Sequence, residues 1–82
     1  MNEVITGTYF VLIEREKRTK TKLYSVYTKN QMDKLGVVKW SIAWRCYAFF
    51  PDPGTFYETT CLNELATILK RLTDEQRSKW KG

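Results

Sequence analysis

The centre of the sequence carries a basic and aromatic run, Lys39-Trp40-Ser41-Ile42-Ala43-Trp44-Arg45-Cys46-Tyr47. Two tryptophans flank a short predicted turn, and a cationic side chain stands next to each of them. Exposed aromatic rings beside Lys and Arg can stack nucleic-acid bases while the charges hold phosphates. The same residue types also dominate the binding energy at hot spots of protein interfaces. The candidate binding residues in this run are Lys39, Trp40, Trp44, Arg45 and Tyr47.

A third interpretation places the tryptophans of this run in the hydrophobic core. Side chains alternate between the two faces of a strand, which divides residues 44–50 into two sets. Trp44, Cys46, Ala48 and Phe50 share one face, and Arg45, Tyr47 and Phe49 share the other. Because Cys46 and Ala48 are small, we expect a helix to pack on their face, with Trp44 as a candidate core residue.

A second basic stretch lies between two predicted strands. Its five cations are Arg15, Lys17, Arg18, Lys20 and Lys22. As a hairpin end it could lie along a phosphate backbone, or it could be a solvated turn that protects a sheet edge. The excess charge of +5 belongs entirely to the first half of the sequence, since residues 46–82 carry no net charge. This asymmetry favours an anionic partner, although solubility alone also accounts for a modest charge.

Residues that could carry catalysis are sparse. The sequence has no histidine, which removes the commonest general base and the commonest neutral metal ligand. Its two cysteines, Cys46 and Cys61, are too few for a structural zinc set, and we expect both to be small buried thiols. Only Cys61, at a predicted helix start, could have its thiol pKa lowered by a helix dipole. No Gly-rich phosphate loop occurs, so we predict a protein without enzymatic activity, metal or cofactor.

The hydrophobic pattern predicts strands first and helix last. Alternating or β-branched segments predict strands over residues 7–14, 22–28, 35–40, 44–50 and, as a short edge, 55–58. Gly36 inside the third strand indicates a bulge or a close approach of backbone. Short connections favour a meander of sequential antiparallel neighbours.

From residue 61 onward the pattern becomes helical. Apolar side chains recur at helical spacing at Leu62, Leu65, Ala66, Leu69 and Leu72. Thr59 or Thr60 is the expected N-cap, and Thr73 with Gln76 matches a capping box, which predicts a kink or a second short helix to about Lys81. The chain is therefore expected to be one α+β domain over residues 1–82, with an antiparallel sheet of four to five strands packed by this helix. Trp80 either folds back as an anchor or faces a partner.

The sequence also indicates where the protein works. Met1–Thr8 has no basic residue, and the apolar run that follows is too short for a signal peptide. No segment approaches the roughly 20 apolar residues of a membrane helix. We expect a cytoplasmic protein with no membrane partner.

Four segments resemble small accessory proteins of bacteriophages and prophages. They are Leu35-Gly36-Val37-Val38-Lys39-Trp40, Trp44-Arg45-Cys46-Tyr47-Ala48-Phe49-Phe50-Pro51, Thr55-Phe56-Tyr57 and Cys61-Leu62-Asn63-Glu64-Leu65-Ala66. The similarity covers roughly residues 22–72. It implies phage origin and the cytoplasm of a bacterial host cell. That group has no assigned activity, so no functional residue is carried over.

Three functional hypotheses follow. The first is a non-enzymatic binding module, a phage-encoded modulator or inhibitor of a host protein or nucleoprotein complex such as a defence nuclease. The second is a small nucleic-acid-binding domain that uses the basic hairpin and the exposed aromatics. The third is a structural protein that self-associates through an edge strand, and the oligomeric state stays open.

Overall fold

Five strands and one helix make up the described part of the chain. This computed structural model describes residues 3–17 and 21–81, without the side chains of residues 16, 17, 80 and 81. The elements are β1 (Val4–Thr6), β2 (Phe10–Lys17), β3 (Lys22–Thr28), β4 (Lys34–Ser41), β5 (Cys46–Pro51) and α1 (Thr59–Lys81). The strands form one antiparallel sheet in sequential order. The predicted α+β fold, a meander sheet packed by a C-terminal helix, is confirmed.

The fifth strand lies at the N-terminal end rather than at residues 55–58. β1 pairs with β2, and its central side chain, Ile5, is buried opposite Leu12. The predicted strand over 55–58 is wrong, because local polar groups hold that segment as a loop. The Thr55 hydroxyl donates to the Asp52 carbonyl at 2.8 Å. The Glu58 carboxylate accepts the Cys61 N–H at 2.7 Å, so Glu58 caps α1 in place of Thr59 or Thr60.

α1 is one continuous helix of 23 residues, without the predicted second short helix. The Thr73 hydroxyl does not cap a new helix. It is buried and accepts the backbone N–H of Tyr47 in β5 at 3.0 Å. In a capping box, the threonine hydroxyl bonds to the backbone of its own helix. Because the Thr73 hydroxyl bonds to β5 instead, it does not start a second helix.

The helix covers the face of the sheet opposite to the one predicted. Tyr47 lies in the core with Val26 and Val38, and the helix adds Leu65 and other side chains of its apolar stripe to the same cluster. The face of Cys46 and Ala48, expected to receive the helix, points away from it. Large side chains therefore fill the space under the helix, and the small ones lie on the uncovered face.

Gly36 marks an irregularity in β4, as its position in the strand predicted. The register between β3 and β4 shifts after Val26, which pairs with Gly36. A Cβ atom on Gly36 would lie 2.9 Å from the Cα of Pro51, so only glycine allows β5 to approach this closely. This contact fixes the register of β5, and with it the position of the β4–β5 turn.

A carboxylate ties the first turn of the sheet to the helix. Glu64 accepts the backbone N–H groups of Thr8, Tyr9 and Phe10 at 2.8, 2.9 and 3.0 Å. Consecutive N–H groups that converge on one anion form strong charge-assisted bonds. Gly7 lies against the same carboxylate, and a Cβ atom there would be 2.5 Å from Oε2 of Glu64. The turn between β1 and β2 is therefore shaped around this side chain.

Replacing Thr73 with valine tests the bond between helix and sheet. Thr73→Val keeps the side-chain shape but leaves the buried Tyr47 N–H without its acceptor. An unsatisfied buried donor costs about 1–3 kcal/mol, and we expect the free energy of unfolding in urea to fall by that amount.

Thr67→Val is the matched control on the same helix. The Thr67 hydroxyl donates to the Asn63 carbonyl at an exposed position, so its loss should change stability by less than about 0.5 kcal/mol. Equal losses for the two variants would contradict the role given to Thr73.

Candidate functional site

The turn between β4 and β5 presents large apolar side chains to solvent. We call residues 42–45 the β4–β5 tip. Within it, Ile42 is 86% exposed and Trp44 is 80% exposed. Burying either side chain would be favourable, so folding alone does not explain why both are exposed at one turn. Trp44, which strand alternation made a candidate core residue, therefore lies outside the core.

Backbone hydrogen bonds hold the β4–β5 tip in one conformation. Ser41 accepts twice, from the Trp44 N–H through its hydroxyl at 3.2 Å and from the Arg45 N–H through its carbonyl at 2.8 Å. Arg45 has a φ of 55°, a left-handed conformation that is uncommon for a residue other than glycine. From α1, the Arg77 guanidinium donates to the Arg45 carbonyl at 2.8 Å. The helix thus braces the tip.

A pocket of about 440 Å³ opens beside the tip. Trp40, Ile42, Arg45 and Arg77 line it. Trp40 is half-buried and packs edge-on against Tyr47, with ring centroids 5.4 Å apart. The pocket combines two guanidinium groups with an indole and an aliphatic side chain, so it suits a ligand group that has an apolar body and a negative charge.

Tyr47, one of the predicted binding residues, is placed in the core. It is 5% exposed, and its hydroxyl accepts the Lys22 N–H at 3.1 Å. Burial raises the pKa of this hydroxyl. Tyr47 therefore supports the sheet beneath Trp40 and offers no surface for a partner.

Lys22 is drawn into a polar network on the helix side of the sheet. Its ammonium lies 3.2 Å from Glu3 and 3.6 Å from Glu14, and the Tyr24 hydroxyl donates to Glu3 at 3.0 Å. Burial acts to raise the pKa of Glu3, but the bonds from Tyr24 and Lys22 outweigh it and the net pKa is lowered. The charge of Lys22 is thus balanced within the fold.

The other predicted cations are spread over different regions. Arg15 and Lys39 lie on the side of the sheet that α1 leaves uncovered. Lys17 ends β2, and its side chain is outside the described part of the chain, as are residues Arg18 and Lys20. Of the ten predicted residues, the structure places Trp44 and Arg45 in the β4–β5 tip, and Trp40 beside it in the lining of the pocket. Sequence reasoning missed Ile42 and Arg77 as members of this site.

Cys61 lies in the first turn of α1, where a helix dipole could lower the pKa of its thiol. Burial, followed by the nearby Glu58 carboxylate, raises the pKa of the Cys61 thiol, so the helix start does not activate it. No three His, Cys, Asp or Glu side chains of residues 3–15 and 21–79 come together as a set that could hold a metal ion.

Comparisons of the chain with protein-family models, with curated proteins and with solved structures found no match. Within the described ranges, no helix has both the length and the apolar character needed to cross a membrane.

The polar network around Lys22 predicts a specific response to acid. Because the folded state lowers the pKa of Glu3 below its unfolded value, this carboxylate stabilises the fold above about pH 4.3 and the contribution is lost as pH falls through the folded pKa. In Glu3→Gln, we expect the free energy of unfolding to depend less steeply on pH on the acid side.

A matched control is Glu75→Gln, which removes an exposed glutamate that pairs with Arg71 on the surface of α1 at 3.4 Å. Denaturant unfolding between about pH 3 and pH 6 measures both slopes. If Glu3→Gln left the acid-side slope as steep as Glu75→Gln does, the network would not have this role.

Proposed function

We propose that this chain is a non-enzymatic binding module that docks on a protein partner through its β4–β5 tip. The observation that carries the proposal is the exposure of Ile42 and Trp44 on a turn that is hydrogen-bonded in place. A rigid aromatic anchor loses little conformational entropy on binding. Trp and Arg are also the residue types most enriched at interface hot spots.

The chemistry of the tip favours a protein over a nucleic acid as its direct partner. Ile42 has no flat face on which a base can stack, whereas an aliphatic side chain fits an apolar hollow on a protein surface. Arg45 and Arg77, beside the pocket, add cations that suit a carboxylate of the partner. A partner surface with an apolar hollow edged by acidic residues would complement these groups.

The resemblance to phage accessory proteins supports a class of partner. A small protein of this kind would act in a bacterial cell as a modulator or inhibitor of a host protein or nucleoprotein complex, for example a defence nuclease. Rigid attachment of the tip to α1 through Arg77 suits such a role, because a preorganised loop binds with a smaller ordering cost.

Truncation of the tip tests this proposal. The double variant Ile42→Ala, Trp44→Ala should lose stoichiometric partners that the wild-type chain captures from bacterial lysate, by at least about tenfold in quantitative mass spectrometry. The physical reason is the loss of two hot-spot side chains, each worth about 2 kcal/mol or more when central to an interface.

Phe56→Ala is the matched control, since Phe56 is 92% exposed in the loop before α1 and lies outside the tip. It should retain the captured proteins. Equal retention by the tip variant, or equal loss by Phe56→Ala, would contradict docking through the tip.

A further inference from the structure

The uncovered side of the sheet is a second surface of distinct chemistry. We call it the open face: the strand side chains that point away from α1. Six aliphatic side chains from all five strands form its floor, namely Val4, Val11, Ile13, Leu23, Val37 and Ala48. Val4, at the edge, is 56% exposed, whereas Ile13, Val37 and Ala48 are half-buried and Val11 is buried. A flat apolar area of this kind on a folded domain often marks a binding site.

Two cation–aromatic pairs lie on this floor. The Arg15 guanidinium carbon is 5.7 Å from the centre of the Tyr27 ring, and the Lys39 ammonium is 4.6 Å from the centre of the Phe50 ring. Arg15 is fixed further by hydrogen bonds from its guanidinium to the Ser25 and Tyr27 hydroxyls. Phe50 is 41% exposed. Each ring thus has a positive charge over it at the surface.

The charges on the open face have one sign. Among the strand side chains that the structure describes there, Arg15, Lys34 and Lys39 are the charged ones, and no carboxylate accompanies them. Glu14, which precedes Arg15 in sequence, lies with Glu3 at Lys22 on the helix side of the sheet. The face therefore complements an anionic ligand.

We propose that the open face binds single-stranded DNA, with bases stacked on Tyr27 and Phe50 and phosphates held by Arg15 and Lys39. Every base has a flat π-face, so aromatic platforms bind single strands with little sequence preference. Tyr27 and Phe50 lie on β3 and β5, two strand spacings apart, or roughly 10 Å across the sheet. A single DNA strand in an extended conformation that crosses the sheet can therefore reach both rings.

Other occupants fit the open face less well. A second copy of the chain would bring Arg15 and Lys39 against like charges, which disfavours face-to-face pairing. A duplex keeps its bases stacked on one another and cannot offer them to the rings. RNA would place 2′-hydroxyls over the aliphatic side chains of the floor, where burying an unpaired hydroxyl is unfavourable.

Fluorescence anisotropy with a labelled oligo-dT of about ten nucleotides tests the proposal. The wild-type chain should bind it saturably at low salt. The logarithm of affinity should fall with the logarithm of salt concentration at a slope of about −1.4, about −0.7 for each of two phosphates.

Lys39→Gln should reduce the magnitude of that slope by about 0.7. Tyr27→Leu and Phe50→Leu should each weaken binding about tenfold, since leucine keeps apolar volume but not the stacking face.

Two controls match these variants in chemistry but not in position. Phe56→Leu removes an exposed ring elsewhere, and Lys70→Gln removes a cation from the exposed surface of α1. Both should bind DNA as the wild type does, as should Trp44→Ala, which separates this site from the protein-docking tip.

Three results of the binding titrations would overturn the proposal. They are absence of binding at low salt, equal losses in the position controls, and binding of oligo-U or of a duplex as tight as that of oligo-dT. Light scattering that shows a dimer broken by Phe50→Leu would assign the face to a second copy of the chain instead.

Discussion

A sheet has two faces, and this chain has one helix to cover them. The apolar stripe of α1, with Leu65, Ile68 and Leu72, packs on the side of Val26, Val38 and Tyr47. Hydrophobic burial on that side is the main favourable term of folding, and no described segment of the chain covers the other side. Both proposed surfaces follow from this arrangement, because the open face is the side left over and the tip projects beyond the covered area.

Polar groups determine how the helix sits on the sheet. Glu64 anchors its first half to the β1–β2 turn, Thr73 bonds to β5, and Arg77 reaches the β4–β5 tip. Hydrophobic contact is non-directional, so the bonds of these three residues supply the register that packing alone leaves undefined. They also connect the tip mechanically to the helix, which explains how an exposed loop keeps a defined shape.

Much of the fold could be predicted because period and residue type agree over long segments. The strands containing Val26, Val38 and Tyr47 are rich in β-branched and aromatic residues, and the leucine stripe has helical spacing. The errors fall where a distant partner overrides a local signal. Thr73 has a capping-box sequence, but its hydroxyl bonds to a strand 26 residues away. The face of β5 was assigned from small side chains, whereas Tyr47 fills the core.

The candidate site was predictable in its residue types but not in its geometry. Trp44 and Arg45 stand out by composition and lie at the tip, whereas Arg77 is 32 residues from Arg45 in sequence and joins the tip only through the packing of α1. Lys22 was predicted to bind a partner because its ion pair is not visible in the sequence: Glu3, which precedes β1, is 19 residues away. Long-range pairing of this kind leaves no periodic trace in a single sequence.

The central claim is that α1 packs on the Val38 face of the sheet and leaves the Val37 face open. Methyl–methyl nuclear Overhauser effects in isotope-labelled protein test it most directly. We predict contacts from the Leu65 methyl groups to those of Val26 and Val38, and none to Val37 or Ala48. Contacts between Leu65 and Val37 would place the helix on the opposite face and contradict the account of both surfaces.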